Sequence, residues 1–331
     1  MSQASTTIDE MESTRGRVAR AKIASFIQRQ GALIALVLVC VFASMRYEAF
    51  LTRENLENVL RQNSMIGLVA LGMTFVILTG GIDLSVGSLL AVAGVIAANL
   101  AGRGTLVAVL AAVAFTTLLG LVNGLVIARA RIQPFIVTLA MMIAARGLAL
   151  AYTGEQSVRI EKISESFTWL GRGQVGTIPV PVLILVALFA LGWLVLNYTR
   201  FGGHVYSIGD NEEAARLMGL NVGRVTLGVY ALSGMLAGLA GVILASRLGA
   251  GQPVAGAGWE LDAIASVVVG GTLLTGGQGG VGSTLVGVIL LGVIFNLFNL
   301  EGSFSSWWQQ VLRGIFLLAV VIVQNRLSAR K

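Results

Sequence analysis

The chain has 331 residues, 56% of them hydrophobic and 12% charged, with 42 Gly and a formal net charge of +7. A soluble domain sits nearer about 45–50% apolar and about 25% charged, so lipid must solvate most of this surface. The basic excess does not point to nucleic acid, because the Lys and Arg residues stand at the ends of apolar runs, as membrane topology requires.

The lone Cys40 excludes an internal disulfide, and with a lone His204 it argues against His/Cys metal chemistry; neither a metal nor a cofactor is expected. Residues 1–30 form a polar, Arg-rich tail ahead of a modest apolar run. That tail is long for a signal peptide and further apolar runs follow, so the run is read as an uncleaved first span. A spanning helix needs about 20 mostly apolar residues. On that basis the fold is all-α, a polytopic membrane protein with about ten transmembrane helices in a domain covering 31–325. The spans fall near 31–46, 64–80, 84–101, 105–127, 135–152, 178–197, 225–246, 261–275, 281–300 and 307–325. The eighth is short and Gly-rich, which suits a broken or re-entrant segment buried in protein. Between the first two spans, Leu56, Val59 and Leu60 share a face flanked by Glu57 and Arg61, which predicts an amphipathic helix lying on the membrane surface. Residues 326–331 are a second tail.

Orientation follows from counting. Thirteen Lys and Arg residues fall on the side of the N-terminus and eight on the other. That places both termini in the cytoplasm. The same side carries the longest polar interruption there, Asn197 to Arg224, with the loop proper at 198–224. Within it Glu213, Ala214, Ala215, Arg216, Leu217 and Met218 read as a short amphipathic helix followed by Gly219. A lipid-soluble chain that keeps one compact helical segment in water uses it to dock a soluble partner.

Several further patterns bear on chemistry. Leu78-Thr79-Gly80-Gly81 is echoed by Leu274-Thr275-Gly276-Gly277, as an internal repeat would give. The patch Gly277 to Thr284 resembles a phosphate loop but has Ser283 where the lysine belongs. Gly171 to Gly176 matches G-x-G-x-x-G without a βαβ setting, so the chain is not expected to hydrolyse ATP itself. Gly120-x-x-x-Gly124, Gly234-x-x-x-Gly238 and Ser283-x-x-x-Gly287 allow close helix packing in lipid. Ionisable residues within spans default to functional candidates. Arg146 and Arg313 either snorkel or line a pathway. Asp83 and Asp262 stand near helix starts, where a carboxylate caps backbone N–H groups or meets a solute. Asn63, Asn123, Asn296 and Asn299 either hydrogen-bond a hydroxylated solute or bridge helices.

Three motifs together resemble the ribose-type ABC sugar permease family. They are Gly80-Gly81-Ile82-Asp83-Leu84-Ser85-Val86-Gly87, Ile132-Gln133-Pro134-Phe135-Ile136-Val137-Thr138-Leu139 followed by Arg146-Gly147, and Glu260-Leu261-Asp262-Ala263-Ile264-Ala265 leading into Val269-Gly270-Gly271-Thr272. The resemblance spans residues 50 to 325. It implies a bacterial inner-membrane importer for a ribose-like pentose or related polyol. A periplasmic binding protein would deliver the sugar, two permease copies (a homodimer) would form the pathway, and a cytoplasmic ATPase would drive it. It also implies that Glu213, Ala214, Ala215 and Gly219 form the segment that couples to the ATPase. Asn63, Asp83, Asn123, Arg146, Asp262 and Asn296 are then the candidates for the pathway. The alternative, an ion-coupled secondary transporter of a small polar solute, needs paired carboxylates in mid-span, and none are present.

Overall fold

The computed structural model describes residues 30–160 and 165–302, with scattered helical positions between 307 and 322. Residues 1–29, Arg313, most of the predicted last span and the tail 326–331 lie outside the described residues. The helices are α1 (Gln30–Arg46), α2 (Arg53–Leu78), α3 (Val86–Leu100), α4 (Thr105–Ala130), α5 (Pro134–Thr153) and α6 (Glu165–Arg172). They continue as α7 (Val180–Tyr198), α8 (Arg200–Asp210), α9 (Glu212–Leu217), α10 (Val222–Leu248), α11 (Trp259–Val269) and α12 (Val281–Glu301). Strand β1 (Val158–Arg159) pairs antiparallel with β4 (Ala250–Gly251), and β2 (Gln174–Val175) with β3 (Ile178–Pro179). Among the described residues seven helices are long and apolar enough to cross a membrane: α2, α3 with its extension to Arg103, α4, α5, α7, α10 and α12. The chain is an all-α polytopic membrane protein.

The first departure from the expected spans is at α2. The predicted surface helix around Leu56 and the second span are one continuous helix of 26 residues, about 39 Å long at 1.5 Å per residue. Nothing in Arg61 to Ser64 interrupts it, because the Asn63 amide and Ser64 hydroxyl donate back to the Val59 and Leu60 carbonyls of the same helix. Thr52 caps its start, and the exposed Arg53–Glu57 pair bridges its first turns.

The second departure is at the predicted span 261–275. Its helical part, α11, has only 11 residues, about 16 Å against a hydrocarbon core of about 30 Å. The chain then runs irregularly to Gly280, with Gly271, Gly276, Gly277 and Gly279 all at positive φ. A left-handed backbone costs any residue with a Cβ, which is why glycine recurs here.

α10 is the central element, and α4, α3 and α2 pack around it. Its contact with α4 is backbone against backbone. A Cβ on Gly120 would meet the Tyr230 carbonyl, one on Gly124 the Leu227 Cα at 2.9 Å, and one on Gly234 the Thr116 carbonyl and the Gly120 Cα. Between α11 and α12, Gly287 fits against the Ser266 carbonyl and Gly270 in the same way. Dispersion at such close approach, rather than hydrophobic exclusion, holds helices together in lipid. The G-x-G-x-x-G match at 171–176 has a packing reason as well. Gly171 ends α6 against the Arg247 backbone, while Gly176, at φ +63, turns the β2–β3 hairpin. α1 packs against α12 through Ala43, Phe50 and Val293, where the Tyr47 hydroxyl donates to Glu301.

Gly234→Leu inserts a branched side chain into the α4–α10 contact, and overpacking of this kind costs about 1–3 kcal/mol. It is expected to lower the thermal midpoint of the detergent-solubilised protein by several degrees or to abolish its recovery. Gly147→Ala, where nothing lies within 4 Å, is expected to leave the midpoint unchanged in the same thermal-shift measurement.

Candidate functional site

The polar segment between α7 and α10 is more structured than its sequence suggested. It holds two helices, not one. α8 begins at an N-cap Thr199 whose hydroxyl accepts from the Gly202 N–H, and it buries Gly202, Val205 and Ile208 on one face. The spacing of Phe201, Val205 and Ile208 is the signal that could have disclosed it. α9 begins at Asn211, whose side chain accepts from the Ala214 N–H at 2.9 Å. Glu212 and Glu213 lie in its first turn, where the helix dipole favours negative charge. Glu212 also pairs with Arg216 at 2.6 Å.

α9 ends in a Schellman motif. The Leu220 N–H donates to the Ala215 carbonyl, the Gly219 N–H donates to the Arg216 carbonyl, and Gly219 takes φ +84. Glycine is there because the turn demands a left-handed residue. Ala215 is fully buried beneath the helix, so only a small side chain fits. Glu213 and Gly219 are exposed, and so are two large apolar residues, Leu217 at 84% and Met218 at 71%. Two neighbouring apolar side chains that exposed, on a helix otherwise rimmed with charge, suit a docking surface.

The last turn of α8 is wedged between the two Leu-Thr-Gly-Gly segments. The Gly277 N–H donates to the Leu78 carbonyl at 3.0 Å, and a Cβ on Gly276 would stand 2.8 Å from the Gly80 nitrogen. A Cβ on Gly209 would collide with both the Leu78 carbonyl and the Gly277 nitrogen. Tyr206, also on α8, donates its hydroxyl to the Gly279 carbonyl at 2.9 Å. Burial raises the pKa of that phenol, so it stays protonated and able to donate. The Gly277 patch that resembled a phosphate loop therefore has its backbone committed to α2 and α8. Beside this junction a cavity of about 330 Å³, lined in part by Gly80, Arg131, Pro134, Glu212, Arg216 and Tyr230, opens under α9.

Of the polar residues predicted within spans, Asp83 and Asn123 come together. Asp83 accepts from the Ser85 N–H at 3.0 Å, the Ser85 hydroxyl at 2.5 Å and the Ser233 hydroxyl at 2.8 Å. Asn123 donates to the Ser85 hydroxyl at 3.0 Å. Asp83 and Asn123 are fully buried, so the knot ties the start of α3 to α4 and α10. Asp83 stands two residues ahead of the N-cap Ser85 and fixes that residue rather than capping the first turn. In α11 the reach back to the cap is made by Glu260, which accepts from the Gly258 N–H at 3.2 Å; Asp262 is buried two residues on.

Asn296 exchanges hydrogen bonds with Asn55 at 2.7 and 3.1 Å and so bridges α12 to α2. Asn63 rests against Gly292 of α12. Arg146 is half-buried, its Nη1 donating to the Pro253 and Ala255 carbonyls.

Residues 55–321 match the family model described as branched-chain amino acid transport system / permease component. Among curated proteins, the chain is 44% identical over 306 residues to the ribose import permease protein of Escherichia coli, covering 91% of this chain and 95% of that one. It is 43% identical over 305 residues to the ribose import permease protein of Bacillus subtilis, covering 92% and 94%. It is 37% identical over 316 residues to an L-arabinose ABC transporter permease protein of Azospirillum brasilense, covering 95% and 92%. No solved structure matches. With most of its length under one family model and near-complete overlap with these permeases, the chain belongs to the branched-chain amino acid transport system / permease component family.

Proposed function

We propose that this chain is the inner-membrane permease of an ABC importer for a ribose-like monosaccharide. A periplasmic binding protein delivers the sugar, and a separate ATPase subunit, contacted through α9, drives its passage. The sugar class rests on relatives named for ribose and L-arabinose that overlap nearly the whole chain. The ion-coupled alternative is not favoured, since those relatives are named as import permeases and, for L-arabinose, as an ABC transporter permease.

The observation that carries the coupling reading is the α8–α9 module. It offers Leu217 and Met218 to a soluble partner, while Gly209 is in backbone contact with α2 and with the loop before α12. A push on α9 would pass through α8 into both Leu-Thr-Gly-Gly segments without the slack of an intervening side chain. The cavity under α9 leaves it room to move.

Topology with both termini in the cytoplasm fits this arrangement. α2, α4 and α7 end, and α5, α10 and α12 begin, on the side of α8 and α9. Residues 252–280, with α11 as their helical part, supply a broken crossing. With α1 and the seven long helices this accounts for nine of the ten expected passages; the predicted last span lies largely outside the described residues. Two copies of the chain, a homodimer, would complete the pathway. Asp83, Asn123, Asn63 and Asn296 serve that pathway by fixing the helices around it, Asp262 by holding the start of α11, and Arg146 by a more direct role.

Glu213→Lys reverses charge on the exposed face of α9, where the dipole already favours an acid. Uptake of radiolabelled ribose by proteoliposomes holding the complete transporter is expected to fall at least tenfold, with membrane insertion unchanged; normal uptake would sink the coupling assignment. Gly219→Val forces a β-branched residue into a left-handed turn, which costs about 1–2 kcal/mol. The expected result is weaker co-purification of the ATPase with an intact permease. Gly209→Ala is expected to keep the ATPase bound while losing the stimulation of ATP hydrolysis by the sugar-loaded binding protein. Gly203→Ala on the same helix, with open space around it, is expected to behave as wild type in that ATPase assay.

A further inference from the structure

Arg146 and Glu260 bring charge to mid-depth of the membrane on a face that the described residues leave open. Arg146 lies twelve residues from Pro134 and seven from Thr153, about 18 Å and about 10 Å along α5. That puts it well inside a hydrocarbon core of about 30 Å. Its Nη1 donates to the Pro253 carbonyl at 2.6 Å and the Ala255 carbonyl at 2.7 Å. Those bonds hold the guanidinium at this depth and keep it from snorkelling to the headgroups.

Glu260 is fixed from two sides. One oxygen accepts the Gly258 N–H, and the other lies 2.5 Å from where a Cβ on Gly87 would stand. Glu260 lies five residues beyond Ala255, in the segment whose carbonyls hold Arg146. Both side chains are only half-buried, and around them Ile143 (64%), Val254 (61%) and Leu261 (50%) are exposed. Charged side chains turned towards lipid at this depth are strongly disfavoured, so the face meets water or protein instead.

We infer that this face looks onto the translocation pathway, closed on its far side by a second permease copy, and that Arg146 with Glu260 forms its polar constriction for a neutral polyol. The inference rests on the sugar-importer reading above. The Pro253 and Ala255 carbonyls take the two Nη1 hydrogens, which leaves Nε and Nη2 as donors against the segment that also carries the Glu260 carboxylate. A sugar hydroxyl both donates and accepts, so a polyol can use the donor on one side chain and the acceptor on the other. The opposite charges offset each other, and the constriction therefore does not concentrate ions of either sign. Passage is read by hydrogen bonding, in contrast to the sealed Asp83 knot, which has no exposed surface.

The test uses the complete transporter (permease, ATPase and binding protein) in proteoliposomes. Cys40→Ala removes the chain's one thiol, and Val254→Cys, Leu261→Cys and, on α4, Leu110→Cys are made singly in that background. A charged, membrane-impermeant methanethiosulfonate is expected to label positions 254 and 261 but not 110, and added ribose with its binding protein is expected to slow that labelling. Labelling of 254 and 261 only by a lipophilic maleimide, as at 110, would mean a lipid-facing surface and overturn the proposal. In parallel, Arg146→Gln and Glu260→Gln are expected to cut ribose uptake about tenfold, the factor that 1.4 kcal/mol produces, with the ATPase still bound. Wild-type uptake by both variants would also overturn it. If either variant cannot be recovered, the labelling of the otherwise native chain decides. Should the Cys variants label as expected while wild-type proteoliposomes move no ribose, the sugar reading fails and the aqueous face stands.

Discussion

A chain in lipid has no water with which to satisfy backbone groups freed by a broken helix, and this one breaks its helices at two places that meet. α2 stops at Leu78 and the next span, α3, begins only at Val86; α11 stops at Val269 and α12 begins only at Val281. One bond joins the two links, and a side chain satisfies further groups within the first. The Leu78 carbonyl takes the Gly277 N–H, and the Asp83 carboxylate takes the N–H and hydroxyl of Ser85. The rest of the architecture depends on this pairing. It allows irregular backbone within the membrane domain, and it places the last turn of α8 against both breaks.

Two kinds of polar structure then coexist in the interior. The Asp83, Ser85, Asn123 and Ser233 knot is sealed, and removing one partner would strand a buried carboxylate, a loss of about 3–5 kcal/mol for buried charges in general. Arg146 and Glu260 are open, the first held by carbonyls and the second by a backbone N–H, and both are only half-buried. The first kind fixes helices and the second leaves donors and acceptors available. The difference lies in burial, since both kinds are built from residues that look equally anomalous in an apolar sequence.

Glycine serves a parallel double purpose. Along the α4–α10 contact it removes a side chain so that backbones touch, and at Gly219 and Gly276 to Gly279 it permits a left-handed turn. Gly209 serves the first purpose for two segments at once. It leaves room at the end of α8 for two other segments, which makes the link from α9 to the broken helices one of backbone against backbone.

Composition and hydrophobic run length were enough to determine the membrane class, the approximate positions of the seven long apolar helices among the described residues and the short helix before Gly219, because each depends on local chemistry that any one window of sequence carries. The Gly-x-x-x-Gly spacings likewise disclosed helix contacts before any contact was known. The tertiary structure decided what no window contains. It joined the surface helix at Leu56 to α2, since nothing local breaks it, and it revealed α8 within what read as a polar loop. It also sorted the ionisable residues, sending Asp83 and Asn123 into a closed knot and leaving Arg146 half-exposed. Burial and pairing depend on residues far apart in the chain: Asp83 and Ser233 are separated by 150 positions, and only folding brings them together.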